Sequence, residues 1–109
     1  MSCPFCGIAS KEIKASVVHE TENVIAFDDV SPMAPVHVLV IPKKHVTEMA
    51  ALDGLLEEIF RVISEVAKKK GVYDPGFRAV LNKGRAAGQA VDHLHFHVLG
   101  GRPLKWPPG

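Results

Sequence analysis

Three histidines occupy alternate positions in the last fifth of the chain, His93, His95 and His97, with Leu94 and Phe96 between them. In extended backbone alternate side chains share a face, so the imidazoles line one side while Leu94, Phe96 and Val98 turn to the core. Imidazole titrates near neutrality, attacks as a nucleophile and ligates metals, so the row suits catalysis or coordination. The bland alternative is the wet side of an antiparallel sheet. As chelators, neighbouring members stand roughly 7 Å apart and can share one ion, whereas His93 and His97, roughly 13 Å apart, cannot both reach it along a straight strand. At least one imidazole is left for other work.

Two further groupings carry chemistry. Cys3 and Cys6 form a Cys-x-x-Cys pair without the strand and long helix of a thioredoxin-like context. Half of a zinc site fits better, with histidine the obvious source of the missing donors; two ordinary thiols near a terminus are the alternative. The stretch Asn82-Lys83-Gly84-Arg85-Ala86-Ala87-Gly88-Gln89 sets two glycines beside a lysine and an arginine, where backbone amides can approach an anion. Alone it reads as a turn. Beside a histidine row it offers what phosphorus chemistry requires: donors for phosphate oxygens next to a nitrogen nucleophile.

These groups need elements to position them. The 109 residues are read as one domain, 1–109, with 47% apolar and 23% charged residues, the profile of a soluble globular protein. A net charge of +1 argues against a nucleic-acid surface, although Lys43-Lys44, Lys68-Lys69-Lys70 and Lys83 with Arg85 form local basic patches for a small anion. The opening Met1-Ser2-Cys3-Pro4-Phe5-Cys6 lacks a basic segment followed by an apolar run, and no stretch of eighteen apolar residues occurs. The expectation is a cytoplasmic protein with no membrane partner.

Along the chain, 6–11 reads as a short helical turn, and 16–20 and 24–28 as strands joined by Thr21-Glu22-Asn23. The prolines of 29–35 force a loop, and 37–41, apolar on both faces, reads as a central strand. The long helix is expected over 53–70, with Leu55, Leu56, Ile59, Phe60, Val62, Ile63 and Val66 as its apolar stripe. Asp53 is expected to cap it, Glu57 and Glu58 to favour its positive end, the three lysines its negative end, and Gly71 to end it. Strands over 77–82 and 93–99 complete an α+β fold: a five-stranded antiparallel sheet with one long helix on one face.

At this point the motifs become recognisable. His93-Leu94-His95-Phe96-His97-Val98-Leu99 resembles the signature of the histidine triad family. Gly100-Gly101-Arg102 with Trp106-Pro107-Pro108-Gly109 resembles its Hint branch, the nucleotide-binding phosphoramidases. The resemblance extends over Phe27 through Pro32, His37 through His45 and Asn82 through Gln89, nearly the whole chain.

The resemblance implies a hydrolase that cleaves the P–N bond of purine nucleoside 5′-phosphoramidates and related acyl-nucleotides. His95 would attack phosphorus to give a nucleotidyl-histidine. His97 would orient the phosphate and help protonate the departing amine, a role suited to a group titrating near pH 7, and His37 would stand nearby as a fourth histidine. Asn82, the Gly88 and Gln89 amides and His97 would hold the phosphate, Asp29 would accept from the ribose hydroxyls, and Val30 would line the base pocket. Ala90 stands where a phosphate-binding serine is usual, Asp92 replaces a common aromatic residue, and Arg85 is a candidate compensating contact. Cys3, Cys6, His45 and His93 would hold a structural zinc, with no catalytic cofactor. A homodimer joining two sheets would bring Trp106 near the partner's site. The alternatives are a dinucleoside polyphosphate hydrolase, disfavoured by the Trp-Pro-Pro-Gly ending, and a non-catalytic nucleotide- or zinc-binding adaptor.

Overall fold

The computed structural model describes residues 3–109; Met1 and Ser2 of the opening segment lie outside the described residues. Its elements run α1 (Pro4–Ala9), β1 (Val17–Glu20), β2 (Val24–Asp28), β3 (Val36–Pro42), α2 (Leu56–Lys69), β4 (Phe77–Leu81) and β5 (Phe96–Gly100), with 3-10 turns at Met49–Leu52 and Arg85–Ala87. The five strands form one antiparallel sheet in the order β1-β2-β3-β5-β4, so β3 is central, as its apolar run predicts. The expected α+β architecture is the one observed.

Strand alternation sorts the side chains into two layers. Val24, Ala26, Val38, Val40, Leu94 and Val98 meet Ile59, Val62, Ile63 and Val66 of α2 on one face. On the other face Ile25, Phe27, Leu39 and Ile41 meet Phe5 of α1. The short helix begins because Pro4 supplies a preset φ at its first turn and the Cys3 sulfur accepts from the Cys6 N–H at 3.5 Å. It thereby roofs the sheet face opposite α2.

Three expectations are corrected. The long helix starts at Leu56, not Asp53: 49–52 forms a 3-10 turn, Asp53 follows it with ψ 134°, and no side chain caps α2. Glu58 does more than complement a dipole, since its carboxylate accepts from the Thr21 hydroxyl and from the Asn23 backbone (2.9 Å) and side-chain (3.0 Å) amides, clamping the β1–β2 turn onto the helix. Those bonds, led by Thr21, hold its carboxyl below the usual range. Thirdly, the lysine patches are engaged locally: Lys43 pairs with Glu20 at 2.7 Å, Lys70 with Asp28 at 2.9 Å and Lys83 with Glu48 at 3.5 Å, while Lys69 donates to the Val18 carbonyl.

The histidine row also differs from expectation. Only His97 lies within β5, whose ladder begins at Phe96; His93 stands in a bend, its N–H donating to the Val91 carbonyl at 2.9 Å, and Leu94 and His95 lead from it into the strand. There the Leu94 N–H donates to the Val46 carbonyl at 2.7 Å, outside the sheet. The alternation survives, because Leu94 enters the α2 core while His93 and His95 both abut Phe5 on the opposite side.

Candidate active site and metal centre

The triad histidines divide between two centres. His93 is fully buried and turns its Nδ1 towards Cys3 Sγ (3.4 Å), Cys6 Sγ (3.6 Å) and His45 Nδ1 (3.2 Å). Cys6 Sγ lies 3.2 Å from His45 Nδ1, and one donor atom from each of the four residues lies within 4.8 Å of the others. Two sulfurs and two nitrogens at such separations are the edges of a tetrahedron with metal–ligand bonds of about 2.0–2.3 Å. The second ring nitrogen of His93 donates to the Pro42 carbonyl at 2.8 Å, which leaves Nδ1 with its lone pair facing the cluster. Desolvation, then the bond and charge of Cys3, push the Cys6 thiol up, an effect a cation among the four would reverse. These residues fit a closed, structural ion.

His95, 4% exposed, donates through Nδ1 to the carbonyl of His93 at 2.8 Å. In the neutral ring that bond places the proton on Nδ1 and leaves Nε2 with its lone pair, the form in which imidazole attacks. Phe5 stands edge-on, ring centres 4.9 Å apart.

A second relay sets His97. The Met33 N–H donates to His37 Nδ1 at 3.0 Å, so neutral His37 carries its proton on Nε2 and gives it to His97 Nδ1 at 2.9 Å. The strand register produces this contact: Leu39 lies opposite His97 in the ladder, and His37, two residues away on the same face, approaches diagonally. By elimination His97 bears its own proton on Nε2. Asp29 completes the group, with one carboxylate oxygen 3.4 Å from His37 Nε2 and the other accepting from the Ser31 N–H at 2.8 Å. Although Asp29, His37 and His97 cluster as a possible metal set, the Met33 bond keeps a proton on the ligating nitrogen of His37, which opposes coordination there. Desolvation, then the neighbouring His95 and His37, lower His97 to about 4. Free His97 is thus a neutral hydrogen-bond donor at pH 7, which corrects the expectation of a group titrating near neutrality.

A cavity of about 380 Å³ opens beside these imidazoles. His95, His97, Asp29, Val30, Ala90 and Val91 edge it, and Phe5, Ile8, Ile13, Phe27 and Leu39 supply apolar walls. The structure therefore brings together His95, His97 and Asp29, the expected nucleophile, one of the expected phosphate contacts and the expected ribose acceptor. His37 stands behind His97, and Asn82, Gly88 and Gln89 are not on the cavity wall. The Gly88 and Gln89 amides, expected to face phosphate, instead bond within their loop, to the Arg85 carbonyl at 3.0 Å and the Gly84 carbonyl at 3.2 Å. The Gln89 side chain ties the same loop shut through the Gly84 N–H and the Val91 carbonyl. Gly88 holds φ +87°, so the closure depends on its lack of a side chain. The wall residues Phe5, Ile8, Ile13 and Phe27 were missed as site residues; their signal was the apolar alternation of β2 and the Phe5/Ile8 spacing. Arg85 is exposed and outside the cavity. A larger hollow of about 620 Å³ lies between the β1–β2 turn and α2, but it is lined by Glu22, Glu57, Glu58 and Glu65 and lacks the triad.

Residues 10–104 match the HIT domain family. An uncharacterized HIT-like protein of Synechocystis sp. is 47% identical, over 96% of this chain and 95% of its own length. A HIT family hydrolase from Legionella pneumophila Philadelphia 1 superposes with a TM-score of 0.94 at 43% identity, covering 99% of this chain and all (100%) of the other. A histidine triad nucleotide-binding protein from Candida albicans superposes with a TM-score of 0.85 at 34% identity, over 97% of this chain and 83% of the other.

Proposed function

The chain belongs to the HIT domain family, and from that membership we propose a nucleotide-binding hydrolase of the Hint branch that cleaves the P–N bond of purine nucleoside 5′-phosphoramidates. One observation carries the reading: His95, whose Nδ1 bonds to the His93 carbonyl and so leaves the Nε2 lone pair of the neutral ring free, lines an apolar cavity edged by a carboxylate. The name of the Candida albicans neighbour, a nucleotide-binding protein, supports the same ligand class.

In the proposed reaction the purine lies between the apolar walls, the ribose hydroxyls donate to Asp29, and His97 Nε2–H donates to a phosphoryl oxygen. The Ala90 and Val91 amides, which bond to no described backbone or side-chain acceptor, add donors where a serine hydroxyl is missing. The seated phosphoryl anion raises His97 towards its protonated form. His95 Nε2 then bonds to phosphorus as the P–N bond breaks, and His97 gives its Nε2 proton to the departing amine. Water attacks the nucleotidyl-histidine, passes a proton to His97 and releases His95.

Zinc held by Cys3, Cys6, His45 and His93 would pin α1 to the triad segment, and no other cofactor is required. Its thiolates suit a reducing cytoplasm. Assembly as a homodimer is favoured by the unpaired edge of β4 and by Leu56, Phe60 and Trp106, which are 44, 60 and 81% exposed.

The test is incubation with an adenosine 5′-phosphoramidate and, separately, a diadenosine polyphosphate. Cleavage of the first alone, abolished in His95→Ala, is the expected result. Cleavage of the second alone would make the protein a polyphosphate hydrolase, and cleavage of neither an adaptor; either outcome overturns the proposal.

A further inference from the structure

Among the described residues, the nucleotide cavity has one lysine or arginine on its wall, Lys14. Lys11, Lys43, Lys69, Lys70 and Lys83 each reach a carboxylate or a backbone carbonyl. Lys14 makes no hydrogen bond or ion pair with any described residue. Together with Ile8, Ile13 and Ala15 it also borders an adjoining surface depression that contains none of the triad, so it stands at the cavity end away from His95 and His97. A nucleotide with its phosphorus at His95 and its ribose at Asp29 extends its base along Phe5, Ile8, Ile13 and Phe27 towards this ammonium. Asp28, also at the wall, engages Lys70 on the other side of the sheet and offers Lys14 no competing partner.

We propose that Lys14 makes the site select 6-oxopurines, guanine or hypoxanthine, over adenine. The inference rests on the nucleotide reading above and adds the base to it. A lysine side chain has three donors and no acceptor. A 6-oxo group beside N7 offers it two acceptors, whereas the 6-amino group of adenine turns N–H bonds towards a group that can only donate. Neighbouring walls are hydrocarbon, so no other side chain there reads the 6-position. Lys14 is exposed, and screening by water keeps the preference modest, roughly 3- to 10-fold.

Calorimetric titration of the full chain with AMP, GMP and IMP tests the idea, IMP isolating the 6-oxo group from the 2-amino group. GMP and IMP are expected to bind roughly 3- to 10-fold tighter than AMP. Lys14→Met is expected to erase the difference by weakening GMP and IMP alone, and Lys14→Arg to retain it. Equal affinities in the wild type, or a Lys14→Met that weakens all three by one factor, would overturn the selection while leaving the nucleotide site intact. Absence of binding by all three would overturn the nucleotide reading and this inference together.

Discussion

Replacing His97 by glutamine should flatten the acid sensitivity of folding. In the folded chain His97 is lowered from an ordinary value near 6.5 to about 4. Between those values the unfolded chain takes up a proton that the folded chain refuses, so stability falls as pH falls. The contribution is fully present above about pH 6.5 and is lost as the pH drops through 4. Linkage over that shift gives about 2 kcal/mol lost between pH 7.5 and pH 5, and about 3 kcal/mol by pH 4. His97 is half-buried, and water at its open edge trims these figures, leaving at least about 1 kcal/mol at pH 5. His93 is lowered in the same direction, chiefly by burial, and any metal held by Cys3, Cys6, His45 and His93 binds less tightly in acid, but both effects remain in the variant and cancel in the difference. The assay is urea unfolding of wild type and His97→Gln at pH 7.5, 6 and 5, extrapolated to water. The stability gap should shift by at least about 1 kcal/mol in the variant's favour as the pH falls. Parallel curves would refute the argument that the relay and its burial keep this imidazole neutral.

Two further outcomes follow from the cluster and the sheet edge. Freshly purified protein should carry close to one zinc per chain, with Cys6→Ser losing most of it and unfolding at a lower temperature; a wild-type stoichiometry well below one is the refuting result. Sedimentation should give twice the chain mass of 11.8 kDa, and Phe60→Glu should shift it to monomer; a monomeric wild type would remove the dimer from the proposal.

What the sequence made legible was whatever depends on period. Strand alternation placed Leu94, Phe96 and Val98 against the helix and the imidazoles on the far face, and the doubly apolar run at His37 to Ile41 identified the central strand. Local capping rules misled at Asp53 because tertiary packing of the 49–52 turn, with Leu52 buried, sets where α2 begins. The strand expected from His93 begins only at Phe96 for a related reason: the Leu94 N–H finds the Val46 carbonyl, a partner no periodicity reveals. The long-range bonds were equally hidden. Nothing in the spacing of residues 82–89 indicates that Gln89 would close the loop and engage the amides expected at phosphate. The lowering of His97 follows from burial beside two other imidazoles, a surrounding that spacing alone does not reveal.

The donor cluster joins Cys3 to a histidine 90 positions later, and His95, the proposed nucleophile, is hung from that same histidine. A growing polypeptide therefore holds Cys3 and Cys6 without their nitrogen counterparts until His45 and His93 emerge, and no fragment lacking His93 and His95 can present the aimed Nε2. Both centres form in one event, when the segment carrying His93 and His95 docks under α1.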